Sequence, residues 1–248
     1  MEVSNQNLMK LLRLFFKRET AAPMLALAFA SVVSVALVMV RIVSTGNIQY
    51  GLLIWNLFLA WLPLIFALLA CEHYQERARS NWRLGALAGA WLLFFPNAPY
   101  IFTDLIHLNT FFYGHFWVDL VLILTCALTG LVIGFLSLYL MQSIVTRMFG
   151  RVAGWIFIAA ATGLGSFGIY LGRFLRFNSW DVLVKPAQLY HGIGRWTVHS
   201  FVYPETVTFP FLFAAFLFLA YLMLYALTHL SPTLPAAAPR TAGGMSEA

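Results

Sequence analysis

A small set of side chains in this sequence could do chemistry while lying inside or beside long apolar stretches: Asp104, His107, Asp119 and Asp181, with Asn56, Asn97, Arg173, Arg176 and Asn178. The three carboxylates and the imidazole are the candidates for general acid/base catalysis or metal ligation. Asp104 and His107 are three residues apart, so on a helical turn they share a face and could hold a proton or a metal ion together. Arg173 and Arg176 could clamp a phosphate or pyrophosphate, and Asn56, Asn97 and Asn178 could orient the bound molecule. Ionisable groups at membrane depth are costly, so each needs a partner, water or a function. Plainer explanations stand beside these. Asp104 and His107 would also suit the end of a helix at the interface. Asp119 in a first helical turn complements the helix dipole, and an arginine at a helix C-terminus does the same and can snorkel. No nucleophile motif and no HExxH zinc motif is present, so the residue types leave metal and cofactor undetermined.

The surrounding sequence must be membrane-spanning. Of 248 residues, 61% are hydrophobic and 10% charged, and mean hydropathy is +0.81. A soluble domain carries about 25% charged residues. The net charge of +6 comes from short basic clusters between apolar runs, a topology signal and not a nucleic-acid footprint. Cys71 and Cys126 fall in apolar segments and read as small packing residues.

Six runs, near 22–43, 50–71, 84–105, 116–142, 152–175 and 207–229, reach the ~20 residues that cross a bilayer as helix. The expected fold is therefore all-α, a polytopic bundle of six transmembrane helices over 21–230. A basic amphipathic arm (1–20) precedes it and a disordered tail (231–248) follows. The third helix should break at Pro96–Pro99, because two prolines three apart remove backbone donors. Unwound backbone at that depth must be buried in protein or line a wet cavity. In the second helix, Pro63 should introduce a kink.

Small residues indicate how the helices meet. Ala161, Gly165, Gly168, Gly172 and Arg176 follow helical steps along the fifth run. They form a face that another helix can approach closely, and that face should carry Arg176 into the interface. Arg173 sits on a neighbouring face. Gly130 and Gly134 in the fourth run form a small-xxx-small pair suited to packing. The segment 182–206, with His191, Arg195, His199 and Glu205 among Tyr190, Trp196 and Tyr203, reads as an ordinary outer loop or an interfacial lid, the loop being preferred.

Lys and Arg set the orientation. Ten of the fifteen (Lys10, Arg13, Lys17, Arg18, Arg77, Arg79, Arg83, Arg147, Arg151, Arg240) fall on one side, against Arg41, Arg173, Arg176, Lys185 and Arg195 on the other. The positive-inside rule then places both termini in the cytoplasm. The first run, about 22 residues long and lacking a small-residue cleavage site, reads as a retained anchor. On this topology all the candidate site residues gather at the outer ends of the helices.

Asn56-Leu57-Phe58-Leu59-Ala60-Trp61-Leu62-Pro63, the stretch from Phe94 to Leu108 containing Pro96-Asn97-Ala98-Pro99 and Thr103-Asp104, and Gly172-Arg173-Phe174-Leu175-Arg176-Phe177-Asn178-Ser179-Trp180-Asp181 resemble the membrane-protein family designated domain of unknown function 1361. The resemblance extends over about residues 45–230. It implies a bacterial cytoplasmic membrane and carries no activity with it. The residues themselves leave three function classes. One is a membrane-embedded protein that binds or processes an anionic or lipid-linked substrate from the outer side, with the bilayer as its other partner. The second is a transporter, favoured by the broken helix but opposed by the one-sided polar cluster. The third is a structural or assembly partner in a membrane complex. Protein partners are not specified.

Overall fold

The computed structural model describes residues 21–77, 81–108, 116–202 and 205–228. Its elements are α1 (Ala21–Thr45), a 3-10 turn (Ile48–Tyr50), α2 (Gly51–Arg77), α3 (Trp82–Phe94), a short α4 (Asn97–Tyr100), a 3-10 segment (Ile101–His107), α5 (Phe116–Phe149), α6 (Arg151–Phe174), a short α7 (Asp181–Val184), α8 (Pro186–Val202) and α9 (Glu205–Thr228). No strand occurs among the described residues. In lipid the backbone must satisfy its own hydrogen bonds, and helices do so within each segment. Six stretches are long and apolar enough to span a membrane, and all six expected runs coincide with them. The basic arm (1–20) and the tail (231–248) lie outside the described residues. Helix α2 continues through Pro63.

Helix α5 forms the centre of the bundle. It has 34 residues, about 51 Å at ~1.5 Å per residue, and 61% of its span is buried against 17% for α1 and for the α9 span. One side packs Ala127 and Ile133 against Leu57, Leu64 and Ala98. The other packs Phe135 and Leu138 with Trp91, Phe95, Ile158 and Leu217.

The third span is broken, although its backbone tightens instead of unwinding. Pro96, Tyr100 and Ile101 all keep right-handed helical torsions. Pro99 has no N–H, and Ala98 N–H turns to the Phe95 carbonyl at 3.2 Å. This leaves the Phe94 carbonyl without its i+4 donor, and Asn97 Nδ2 donates to it at 3.1 Å. An amide side chain between the prolines thus replaces the missing backbone bond.

Glycines clamp this segment from both sides. On α5, a Cβ at Gly130 would lie 2.8 Å from the Ala98 carbonyl oxygen, and one at Gly134 would lie 2.8 Å from Ala98 Cβ. On α6, a Cβ at Gly165 would meet the Phe95 ring at 2.8 Å, and one at Gly172 the Tyr100 ring at 3.2 Å. The stripe read in the sequence therefore receives the broken segment, as small residues permit.

The segment 182–206 corrects the preferred loop reading, for it is mostly helical. Pro186 opens α8 at a first-turn position where its missing N–H costs nothing. Trp196 packs on Phe167 at 4.9 Å between centroids, and Gly192 leaves room for the Phe177 ring. These contacts dock α8 on the end of α6. The side chains of Arg195, His199 and Glu205 lie outside the described residues, as does Tyr203.

The glycine clamp makes a direct prediction. Gly130→Ala places a methyl against a backbone oxygen and should lower stability by about 1–3 kcal/mol, read as a lower thermal unfolding temperature in detergent. Gly163→Ala, whose Cβ would meet nothing within 4 Å, should leave that temperature unchanged or raise it.

Candidate functional site

The glycine contacts at Gly172 bring Tyr100 against α6 and place the next residue, Arg173, over the 3-10 segment. Arg173 Nη1 donates to Asp104 Oδ1 at 3.1 Å and to Tyr100 Oη at 3.4 Å, and its other terminal nitrogen donates to the Thr103 carbonyl. The guanidinium lies 5.6 Å from the Tyr100 ring centroid, within cation–π range. Asn56 Nδ2, from α2, donates to the second oxygen of Asp104 at 3.0 Å. Asp104 is buried and Arg173 largely so. The expected residues Asn56, Asp104 and Arg173 are thus brought together, each through a hydrogen bond that offsets desolvation.

Arg176 departs from its expected place. Helix α6 ends at Phe174, and Arg176 takes a left-handed backbone conformation, φ +58°. The chain therefore leaves the glycine face before Arg176 is reached. Its side chain is exposed and forms no ion pair among the described residues. A left-handed non-glycine residue costs on the order of 1–3 kcal/mol. Arg173, assigned in the sequence to a neighbouring face, is the arginine that enters the interface.

Beyond Arg176 the chain folds back in a tight turn. Asn178 N–H donates to Asp181 Oδ2 at 2.7 Å, and Asp181 N–H donates to the Asn178 carbonyl at 2.9 Å. The turn is tied to the broken span through Asn97 Nδ2, which donates to Ser179 Oγ at 3.0 Å as well as to Phe94. Asp181 is buried within this turn.

Beside these residues lies a groove of about 570 Å³ between α2, the broken span, α6 and the 177–189 segment. Its polar lining includes Asn56, Asn97, Tyr100, Asn178 and Ser179, and its apolar walls run along Leu59, Leu92, Leu93, Leu164, Phe167 and Leu171. Trp55 and Trp180 flank it, half and 37% exposed. Ligand pockets typically measure ~300–1,000 Å³.

Asp119 belongs to a different cluster. Arg41 grips it with two donors, Nε to Oδ1 at 2.6 Å and Nη2 to Oδ2 at 2.8 Å. Tyr50 Oη adds a third bond to Oδ1 at 3.0 Å, with the guanidinium 5.6 Å from the Tyr50 ring centroid. Asp119 is fully buried. Arg41, Tyr50, Tyr100 and Ser179 are the residues that sequence reasoning did not place in any site. For Arg41 a signal existed: a lone arginine in an apolar span calls for a carboxylate at similar depth, and Asp119 is one. The tyrosines carried no such signal.

The side chain of His107 lies outside the described residues, and with it the Asp104–His107 pairing. Among the described residues no three His, Cys, Asp or Glu side chains come together. Cys126 is buried, and Cys71 Sγ donates to the Leu140 carbonyl at 3.7 Å.

The fold and the site define a multi-pass helical membrane protein with internal Arg–Asp–Tyr clusters and a neutral-lined groove. The chain belongs to the family described as "Protein of unknown function (DUF1361)", whose model matches residues 55–223. No curated protein and no solved structure matches it.

Two expectations follow. Arg173→Ala leaves a buried, uncompensated Asp104 and should destabilise the fold by about 3–5 kcal/mol, whereas the double replacement Arg173→Leu with Asp104→Leu should recover much of that loss; thermal unfolding of the purified variants measures both. Arg176→Gly should raise stability by about 1 kcal/mol by relieving the left-handed strain, and Arg176→Val should lower it in the same assay.

Proposed function

We propose that the protein binds a lipid-linked or lipid-type molecule, taking its polar head into the groove and laying its chain along the apolar walls. The observation that carries this reading is the groove itself. Its lining combines Asn56, Asn97, Asn178 and Ser179 with leucine and phenylalanine side chains, most of them from helices long and apolar enough to cross a membrane. Convergent polar groups in an apolar pocket are the usual form of a small-molecule site. The reading stops at binding, because both carboxylate oxygens of Asp104 already accept bonds from Arg173 and Asn56.

The excess of Lys and Arg on the opposite side supports placing both termini in the cytoplasm and the groove toward the outer leaflet. The family resemblance supports a bacterial cytoplasmic membrane as its location.

Gly89 supplies the test. It lines the groove, yet a Cβ there would meet nothing within 4 Å. Gly89→Phe should therefore fill the groove without disturbing the fold. Lipid adducts retained through purification, counted by native mass spectrometry, should fall in this variant at unchanged unfolding temperature. Gly85→Phe, on the same helix, equally unobstructed and outside the groove, should retain them. Equal retention in both variants contradicts the proposal.

A further inference from the structure

Resting on the lipid-binding reading, we infer that the groove selects a neutral, hydroxyl-rich head group, such as a sugar or polyol carried on an apolar chain, over an anionic one. The groove has no formally charged lining residue among those described. Arg173, next to the lining residue Gly172, is already held by Asp104, Tyr100 and the Thr103 carbonyl. A phosphate drawn inside would give up its hydration without gaining a counter-charge, which is costly in an apolar wall.

The hydrogen-bonding capacity that remains points the same way. Asn56 donates through Nδ2 to a carboxylate, and Asn97 donates through Nδ2 to the Phe94 carbonyl and to Ser179 Oγ. Because a carboxylate and a carbonyl can only accept, both amides are fixed in orientation, and each retains its Oδ1 as an acceptor. Ser179 Oγ accepts from Asn97 and keeps its O–H as a donor, and Tyr100 Oη likewise accepts from Arg173 and keeps its own. The Asn178 side chain is exposed and offers both kinds of group. A mixed set of donors and acceptors suits hydroxyls, which do both. An ionised phosphate only accepts, and it would face the Oδ1 oxygens of Asn56 and Asn97. Trp55 and Trp180, which line the same groove, offer the apolar face of a sugar ring a flat surface to lie on.

The experiment is a native mass-spectrometry titration of the purified full chain with monoglucosyl-diacylglycerol and with phosphatidylglycerol of identical acyl chains. Free glucose forms a third arm. The glucosyl lipid should bind roughly tenfold tighter than phosphatidylglycerol, and free glucose should give no adduct. Asn178→Ala, which removes no bond that holds the 178–181 turn, should erase most of that preference. Phosphatidylglycerol binding as tightly or tighter, in a manner still abolished by Gly89→Phe, overturns the neutral-head inference and leaves the groove reading standing. Lipid binding insensitive to Gly89→Phe overturns the groove reading itself. Free glucose binding as well as the glucosyl lipid removes the chain from the recognition and overturns the lipid reading, while the preference for a neutral head holds.

Discussion

The close approach of glycine faces on α5 and α6 to the Pro96-Asn97-Ala98-Pro99 segment is the contact on which the polar architecture depends. With prolines at 96 and 99, the third span cannot keep regular helical bonding. A distorted helix in lipid is tolerable only when other protein surfaces hold it and satisfy its backbone. Gly130 and Gly134 provide one such surface, and Gly165, Gly168 and Gly172 the other. Because Gly172 meets Tyr100, the following Arg173 reaches Tyr100, Thr103 and Asp104 together. Side chains at these glycines would push the helices apart, and the ion pair would lose its geometry before any charge was altered.

Two clusters in this protein share one chemistry. In each, an arginine pairs with a buried aspartate and lies 5.6 Å from a tyrosine ring centroid. One joins α1 to the start of α5, and the other joins α6 to the 3-10 segment after the broken span. Each arginine is thereby neutralised by a neighbouring carboxylate. This internal neutralisation leaves the adjoining groove with amides, hydroxyls and aromatic rings as its polar equipment. Both pairings join separate elements of the bundle, and the Arg173–Asp104 pairing, beside the lining residue Gly172, also bears on the chemical character of the cavity.

The six spans were legible because length and hydropathy decide them, and the break was legible because proline has no N–H. The glycine stripe was read correctly as a packing face. Its endpoint was not, since the helix stops at Phe174 and the left-handed Arg176 cannot be inferred from a residue type that normally avoids that conformation. Asn56, Asp104 and Arg173 could be singled out as polar groups needing partners, yet which partners they take depends on helix rotation, and spacing in the sequence does not contain it. Asp119 shows the same limit: it was grouped with the outer polar residues, whereas its bonds run to Arg41 and Tyr50. Segment 182–206 was obscured because its polar and aromatic mixture suits a loop and an interface-lying helix alike, and only docking on Phe167 and Phe177 distinguishes them.

The Arg41–Asp119 bond also imposes an order on biogenesis. The two residues are 78 positions apart, and at synthesis rates of about 5–20 residues per second the carboxylate follows the arginine by roughly 4–16 s. Until then a guanidinium near the end of α1 lacks this carboxylate and needs water or another acceptor. Arrival of α5 supplies Asp119 and with it two charge-assisted hydrogen bonds. Helix α1, with only 17% of its span buried in the finished bundle, meets α2 first, where Trp61 donates to Ser31 Oγ, and gains its ion pair only from the later-made α5.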